Sequence, residues 1–196
     1  MDNSERVGDW IQTFCGLVMY PLDPRPEEID IRDIAHALSN LCRFTGHVRT
    51  FYSVGEHSVR VSRACDPADA LWGLLHDASE AYLADMSRPM KRSSQFGPIY
   101  CAVEERLMRI ICIKFGLSKD CPESVKVADT RLLMTEKRDL MHGCNKPWED
   151  IGEPLEGTII PAYNPGQAAR SFLRRFEQLT VEQTQSEVKT NTDRGQ

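Results

Sequence analysis

Two histidines and two aspartates in this chain have the side-chain chemistry of a metal site. His57, the adjacent pair His76-Asp77 and Asp129 together offer imidazole nitrogens and carboxylate oxygens. A mixed nitrogen and oxygen set suits ions such as Mn²⁺, Co²⁺ or Zn²⁺ better than Mg²⁺, which prefers oxygen ligands alone. Such ions can accept further ligands, so a water and a phosphoryl oxygen can join these residues. The residue types therefore predict hydrolysis of a phosphate ester assisted by a divalent cation.

The sequence around these residues bears on whether they are only structural. A lone histidine on a helix is more often a core or surface residue than a metal ligand. His76-Asp77, however, follows the apolar run 71–75, and Asp129 follows the largely apolar segment 125–128. An unpaired charge is expensive to bury in such surroundings. Pairing of these groups with one another or with a cation would explain both placements.

Two features that follow the His-Asp pair suit phosphate chemistry. Glu80 lies four residues after His76, on the same face of a helix, where it could protonate a departing oxygen or orient a water. Asp85 and the basic segment 87–92, which contains Lys91, come next. A basic cluster in an acidic protein is a candidate phosphate clamp. The alternative for Glu80 is an ordinary solvated glutamate on a helix, and the alternative for the basic segment 87–92 is a solvated loop without a ligand.

Composition limits the class of protein. The chain has 196 residues, which fits one domain, and its net charge of −5 argues against a general surface for nucleic acid polymers. None of its seven cysteines forms a Cys-x-x-Cys pair, a pattern typical of reduced thiols in a cytosolic protein. Neither a signal peptide nor an apolar stretch long enough to span a bilayer is visible. We expect a protein of the bacterial or infected host cytoplasm that does not interact with membranes.

The hydrophobic pattern predicts an all-α, single-domain helical bundle with a short N-terminal β-hairpin. The hairpin is expected over 10–20, with its turn at Cys15-Gly16. The first helix should begin near Glu28, bury a stripe of apolar residues at three-and-four spacing and end at Gly46. In domain terms, we expect an extension over 1–27, the helical domain over 28–182 and a polar, disordered tail over 183–196.

The remaining helices must position the candidate ligands. Ser53 and Glu56 match a capping box that starts a second helix, which carries His57 and runs to about Ala64. A third helix, opened by Asp66-Pro67, should run without interruption past His76-Asp77 to Tyr82 and end before Pro89. The last three helices are predicted over 97–116, 122–143 (with Asp129) and 164–182, with irregular structure over 144–163.

These motifs resemble the HD-domain phosphohydrolase family, in which a histidine, a His-Asp pair and a distant aspartate bind the metal. The resemblance runs from about Arg43 to Asp139 and is closest to the 5′-deoxyribonucleotidase branch and related phage deoxynucleotide triphosphohydrolases. The N-terminal segment is more similar to phage and prophage members than to bacterial nucleotidases. The resemblance is carried by the segments 42–44 (Cys-Arg-Phe), 53–58 (Ser-Val-Gly-Glu-His-Ser), 76–80 (His-Asp-Ala-Ser-Glu), 89–91 (Pro-Met-Lys) and 125–129 (Val-Lys-Val-Ala-Asp), together with Asp85.

The resemblance implies a role for each matching residue in the metal site. His57, His76, Asp77 and Asp129 correspond to the metal ligands. Glu80 corresponds to the family's acid or base, so Glu80 and Asp77 are the expected catalytic residues. The expected cofactor is a divalent transition metal (Co, Mn or Zn), with Mg²⁺ brought in by a triphosphate substrate.

Further residues correspond to the family's substrate-binding positions. Asp85 matches the carboxylate that binds the sugar 3′-hydroxyl, and Arg43 matches a phosphate-binding arginine, with Lys91 as a second cation. Phe44 falls where the nucleotidase branch has a tryptophan at the base-binding end, so stacking on a base is retained while base preference is open.

The resemblance implies an enzyme that acts on small deoxynucleotides. Among its phage members are triphosphohydrolases that remove the triphosphate from dATP in phages whose genomes contain 2-aminoadenine. We therefore expect a dATP triphosphohydrolase, which would yield deoxyadenosine and phosphates and deplete dATP during infection. The alternatives are a 5′-deoxynucleotidase acting on monophosphates and a nucleotide-binding module without catalysis. Relatives form homo-oligomers, so a dimer or hexamer is expected.

Overall fold

A computed structural model describes residues 6–146, 148, 152–157 and 163–193, with only the backbone described from residue 182 onward. The described part is almost entirely helical, with one two-stranded antiparallel hairpin, which confirms the predicted all-α fold. The hairpin strands are β1 (Ile11–Gln12) and β2 (Val18–Met19). The helices are α1 (Ile31–Asn40), α2 (Val54–Ala64), α3 (Ala70–Leu75), α4 (Glu80–Leu83), α5 (Arg88–Lys91), α6 (Gly97–Phe115), α7 (Glu123–Leu140) and α8 (Pro165–Asp193).

The hairpin forms where the sequence predicts it, with shorter strands. Ile11 pairs with Met19, and the turn closes through a hydrogen bond from Thr13 N to Leu17 O of 3.0 Å. Gly16 supplies the positive φ of 82° that this turn requires. The ring of Phe14 stacks on His36 of α1 with centroids 3.8 Å apart. The hairpin is therefore anchored to the first helix.

Helix α1 ends earlier than predicted. Asp30 caps its N-terminus by accepting a hydrogen bond from Arg32 N, but the helix stops at Asn40 instead of Gly46. The reason is tertiary: Cys42 forms an isolated antiparallel bridge with Ser53, which requires extended backbone. Gly46 instead closes a separate 3-10 turn, Arg43–Gly46.

Helix α2 begins at the predicted cap. The Ser53 hydroxyl accepts a hydrogen bond from Glu56 N at 3.1 Å. The reciprocal half of the capping box is absent from the described contacts of Glu56, whose buried carboxylate accepts from Arg60 at 2.6 Å and from Tyr163 N at 2.7 Å. Glu56 therefore ties the start of α8 to α2.

The predicted third helix is interrupted at the His-Asp pair, so the prediction of a continuous helix was wrong. Helix α3 ends at Leu75 and α4 begins at Glu80, and the residues between form tighter turns, with hydrogen bonds such as Ala78 N to Leu75 O at 2.9 Å. The imidazole Nδ1–H of His76 donates to Gly73 O at 2.8 Å. That carbonyl is the acceptor that the Asp77 N–H would use in a regular helix. The side chain of His76 thus competes with the helix that carries it.

The core lies between α1, α2, α3 and α8. Ile34 and Leu38 of α1, Val59 of α2, Leu74 of α3 and Phe172 of α8 are buried in one cluster. Full burial of each such side chain contributes about 1.5–3 kcal/mol of transfer free energy. Helix α7 packs against α2 through a second apolar cluster. The two helices that carry His57 and Asp129 are thereby held side by side.

Helix α8 extends further than predicted. It runs to Asp193, past the expected end near Glu182, and therefore includes residues 183–193 of the segment expected to be disordered. The sequence has neither proline nor glycine between Gly166 and Gly195, so it lacks a strong stop signal over this span. Residues 194–196, and residues 147, 149–151 and 158–162 of the segment expected to be irregular, lie outside the described residues. None of the described helices combines the length and apolar character needed to cross a membrane.

Candidate metal centre

Three of the predicted ligands converge on one point. The Nε2 atom of His57 lies 3.1 Å from Oδ1 of Asp129 and 3.2 Å from Nε2 of His76, and the His76 and Asp129 atoms are 4.0 Å apart. Donors that share one cation at about 2.1 Å lie roughly 3–4 Å from one another. The observed spacing matches that requirement, so this group could hold a metal ion.

Asp77 lies beside this group. Its Oδ2 atom is 3.2 Å from Nε2 of His76 and 3.7 Å from Nε2 of His57. The same oxygen is 3.6 Å from Nη1 of Arg43. The structure thus brings all the predicted ligands together, although Asp77 also takes part in an ion pair.

Different elements position the ligands. His57 lies about one turn into α2, fixed by the cap at Ser53, and Asp129 projects from α7. His76 and Asp77 occupy the turn between α3 and α4. Because Nδ1 of His76 donates to Gly73 O, its Nε2 atom faces the centre. The helix interruption is therefore part of the site's construction.

Glu136 is a residue of this site that the sequence interpretation missed. Its Oε1 atom accepts from Nδ1–H of His57 at 2.6 Å, and its Oε2 atom accepts from Nε of Arg43 at 3.0 Å. Glu136 and His57 are both fully buried. A carboxylate behind a ligating histidine fixes the ring's tautomer and orientation. Its spacing of seven residues from Asp129, roughly two helical turns, places both on one face of α7 and was the available signal.

The two predicted phosphate-binding cations are engaged in ion pairs. Arg43 bonds Glu136 and faces Asp77, as described above. Lys91 Nζ lies 2.8 Å from Oε1 of Glu104 and 3.4 Å from Oε1 of Glu80. Glu104, on α6, was also missed because a glutamate in an exposed helical pattern carries no sign of such a role.

Phe44 lies next to an aromatic residue from a distant part of the chain. Its ring centroid is 6.2 Å from that of Trp148, and the Arg43 guanidinium lies 5.4 Å from the Phe44 centroid. Phe44 has a φ of 56° and the following Thr45 a φ of 54°, values that are uncommon for residues with side chains. Trp148 could not be assigned from the sequence because it follows a segment without periodicity.

Burial and charge shift the acidity of the two further acids. Burial raises the pKa of Glu80 well above its usual range, and the charges of Asp77 and Asp85 raise it further. Burial also raises the pKa of Asp85. The Oε2 atom of Glu80 is buried without a hydrogen-bond partner among the described residues. Glu80 therefore favours its protonated form, which suits a proton donor.

The candidate ligands favour their charged forms instead: the pKa of His76 is raised, and those of Asp77 and Asp129 are lowered. Burial opposes a charge on His76, but the Asp77 carboxylate outweighs it and raises the pKa of His76 to about 9. Burial likewise opposes ionisation of Asp129, but the hydrogen bond and charge of His57 lower its pKa to about 2. The pKa of Asp77 is lowered for the same reason by His76. The carboxylates of Asp77 and Asp129 thus stay ionised. Their negative charge stabilises either a proton on an imidazole or a metal cation bound to it.

Comparison with known proteins identifies relatives over most of the chain. No model of a known protein family matches it. The chain is 38% identical over 174 residues to the uncharacterized protein YfdR of Escherichia coli K12, covering 87% of this chain and 96% of YfdR. It is 36% identical over 189 residues to the uncharacterized protein RCAP_rcc00048 of Rhodobacter capsulatus, covering 87% of this chain and 95% of the relative. With this identity over nearly the full length of both relatives, the chain belongs to the family that includes YfdR.

Proposed function

We propose that the protein is a divalent-metal-dependent phosphohydrolase of deoxynucleotides, with dATP as its triphosphate substrate. The observation that carries the proposal is the convergence of His57, His76 and Asp129, with Asp77 beside them and Glu80 favouring its protonated form nearby. A purely structural cluster would not require a buried, proton-retaining carboxyl beside a metal-ligand set.

The donor set fits a transition metal such as Co²⁺, Mn²⁺ or Zn²⁺. Its imidazoles favour these ions over Mg²⁺, and its carboxylates supply the negative charge that a divalent ion requires. When bound, such an ion supplies Lewis acidity, which polarises a phosphoryl oxygen and lowers the pKa of a water. A triphosphate substrate would carry its own Mg²⁺.

Other residues of the chain would donate a proton and bind the phosphate, the sugar and the base. Glu80 holds a proton that it can deliver to the departing oxygen. Arg43 and Lys91 lie in ion pairs from which their donors can turn towards a phosphate, as guanidinium and ammonium groups do at anion sites. Asp85 corresponds by resemblance to the carboxylate for the sugar 3′-hydroxyl, and Phe44 offers an aromatic face for the base. For a triphosphate, the expected products are the nucleoside and tripolyphosphate.

The decisive experiment is a matrix of substrates and metals. The protein is stripped of metal by chelation and assayed with each deoxynucleotide at each phosphorylation level, with Mn²⁺, Co²⁺, Zn²⁺ and Mg²⁺ supplied separately. We expect the highest kcat/KM for dATP with a transition metal. Asp77→Ala should remove metal binding and turnover together, because it deletes a carboxylate from the centre. Normal hydrolysis by this variant, or no turnover of any deoxynucleotide by the wild type, would contradict the proposal.

A second candidate is a 5′-deoxynucleotidase that acts on monophosphates. The observation that favours it is that Arg43 already faces the carboxylates of Asp77 and Glu136 and Lys91 pairs with Glu104, which leaves less positive charge for a triphosphate. Comparison of dATP with dAMP turnover, and of inorganic phosphate with tripolyphosphate release, separates the two activities.

A further inference from the structure

Ala84 adopts a backbone conformation that is rare for a residue with a side chain. Its φ is 67° and its ψ is 158°. This region is almost exclusive to glycine, and another residue is strained there unless its surroundings hold it. Ala84 lies directly between α4, which begins with Glu80, and Asp85. Its conformation therefore sets the direction in which the chain presents Asp85.

Two hydrogen bonds hold Ala84 in this conformation. Its N–H donates to Glu80 O at 2.9 Å, which closes the last turn of α4. Its carbonyl accepts from the hydroxyl of Tyr100 at 2.8 Å. Tyr100 is a buried residue of α6, so the second bond ties the turn to a different, much longer helix. Strained backbone persists when its surroundings fix it in this way.

The same face of α6 is also connected to Glu80, through Lys91. Glu104 lies one turn after Tyr100 and pairs with Lys91 at 2.8 Å, while Lys91 also faces Glu80 at 3.4 Å. The Lys91 ammonium lies 5.6 Å from the centroid of the Tyr100 ring. One face of α6 thus contacts both the Ala84 turn and Lys91, the partner of Glu80.

We propose that Tyr100 is a positioning residue for sugar recognition: its hydroxyl holds the Ala84 turn so that the Asp85 carboxylate meets the 3′-hydroxyl of a bound deoxynucleotide. This inference rests on the proposed function. Without the Tyr100 bond, Ala84 can relax towards negative φ, which redirects Asp85. The metal ligands belong to other elements and keep their positions.

The test compares Tyr100→Phe with the wild type on two substrates, a 2′-deoxynucleotide and its 2′,3′-dideoxy analogue, which lacks the 3′-hydroxyl. We expect the ratio of their kcat/KM values to fall about fivefold, the equivalent of one hydrogen bond of about 1 kcal/mol. The fall should come from the deoxynucleotide alone. Mn²⁺ affinity, measured by calorimetry without substrate, should stay unchanged. Equal losses on both substrates would reduce Tyr100 to a packing role and overturn the inference.

Two further variants sharpen the result. Tyr82→Phe is the matched control, because Tyr82 is a buried tyrosine of α4 whose hydroxyl has no hydrogen-bond partner among the described residues, and its ratio should equal that of the wild type. Ala84→Gly in the Tyr100→Phe background should restore part of the ratio, since glycine adopts positive φ without strain. No recovery would show that Tyr100 does not act through this turn.

The failures are distinguishable. A wild-type protein that neither binds nor hydrolyses the deoxynucleotide contradicts the proposed function, and the positioning role with it. An active wild type whose substrate ratio is unaffected by Tyr100→Phe contradicts the positioning role alone.

Discussion

At the scale of single residues, the buried chain His57–Glu136–Arg43 is the feature with the clearest energetic consequence. Its members are joined at 2.6 Å and 3.0 Å, and Glu136 has no exposed surface. Burial opposes ionisation of Glu136, but the charges of Arg43 and His57 lower its pKa. One buried carboxylate therefore serves two neighbours: it pairs with the Arg43 guanidinium and accepts the Nδ1–H of His57.

Glu136→Gln should weaken both the metal centre and the fold. The amide keeps the shape of the side chain but leaves Arg43 without its buried counter-charge, which is expected to lower the free energy of unfolding by about 3–5 kcal/mol. Loss of a carboxylate behind a ligating histidine should lower metal affinity about 10–100-fold. Thermal unfolding in a chelator and calorimetric titration with Mn²⁺ measure the two effects.

Glu123→Gln provides the control for that change. Glu123 begins the same helix, α7, and its side chain is 80% exposed, so neither quantity should change measurably. An unchanged metal affinity in Glu136→Gln would show that the carboxylate does not orient His57.

The shifted acidity of His76 predicts opposite pH trends for metal affinity and for the stability of the metal-free protein. A proton on His76 competes with the metal, and its pKa is raised to about 9, so affinity for Mn²⁺ should rise with pH up to about 9, by roughly tenfold per pH unit for each proton displaced. The stability gained from the raised pKa is fully present below the unfolded value of 6.5 and is lost as pH rises through about 9. Calorimetry and chelator-treated melting curves between about pH 6 and pH 9 check both, and parallel trends would contradict the assignment.

At the scale of elements, the sequence predicted what local signals determine. Ser53 starts α2, and Gly97 and Gly116 delimit α6, because caps and breakers act on their own neighbours. The interruption after Leu75 was not predictable from periodicity, since it results from the bond of the His76 side chain to a backbone carbonyl.

The sequence likewise predicted only part of the candidate site. The residue types, their spacing and the resemblance predicted a set of candidate ligands, three of which the structure brings together in a group that could hold a metal ion. Glu104 could not be predicted, because it resembles an ordinary helix glutamate until packing brings α6 against α5, and the spacing of Glu136 from Asp129 indicates only that the two share a face of α7, not that Glu136 bonds His57. The roles of Glu136 and Glu104 depend on contacts between helices, which the sequence of one helix does not specify.

Gly73→Ala tests how closely α3 must approach α2. A Cβ at this position would lie 2.8 Å from Sγ of Cys65 and 3.1 Å from Cα of Ser62, so the helices must separate. We expect destabilisation of about 1–3 kcal/mol, as for other overpacked sites. Mn²⁺ affinity should also fall, because the Gly73 carbonyl holds His76. Denaturant unfolding and calorimetry measure these changes.

Gly143→Ala is the matched control, since no atom lies within 4 Å of a Cβ placed there. If the two substitutions lowered the stability equally, the close approach of α3 to α2 would not be the reason that residue 73 is glycine.

At the scale of the whole molecule, α8 supports the elements of the site, and none of its described side chains is among the candidate ligands. It packs against α1, α2 and α3, and Arg175 donates two hydrogen bonds of 3.0 Å to Ser62 of α2. The helix therefore supports α2, which carries His57, and α3, which ends next to His76.

Phe172→Ala should destabilise the protein while leaving the metal ligands in place. Phe172 is fully buried, and its truncation is expected to lower the free energy of unfolding by about 3–5 kcal/mol, or Tm by at least about 6 °C. Val181→Ala on the same helix is the control, because Val181 is 54% exposed and should shift Tm little. Similar melting temperatures for the two variants would contradict the supporting role of α8.

The concentration of acids around the metal centre has a kinetic consequence for any anionic substrate. Asp77 and Asp129 stay ionised there, while the neighbouring cations Arg43 and Lys91 are already neutralised by carboxylates. In the metal-free site the protonated His76 balances part of this negative charge, so a phosphate group that arrives first finds little net positive charge to bind. The cation should therefore bind before the nucleotide, because the bound cation supplies the positive charge that attracts the phosphate.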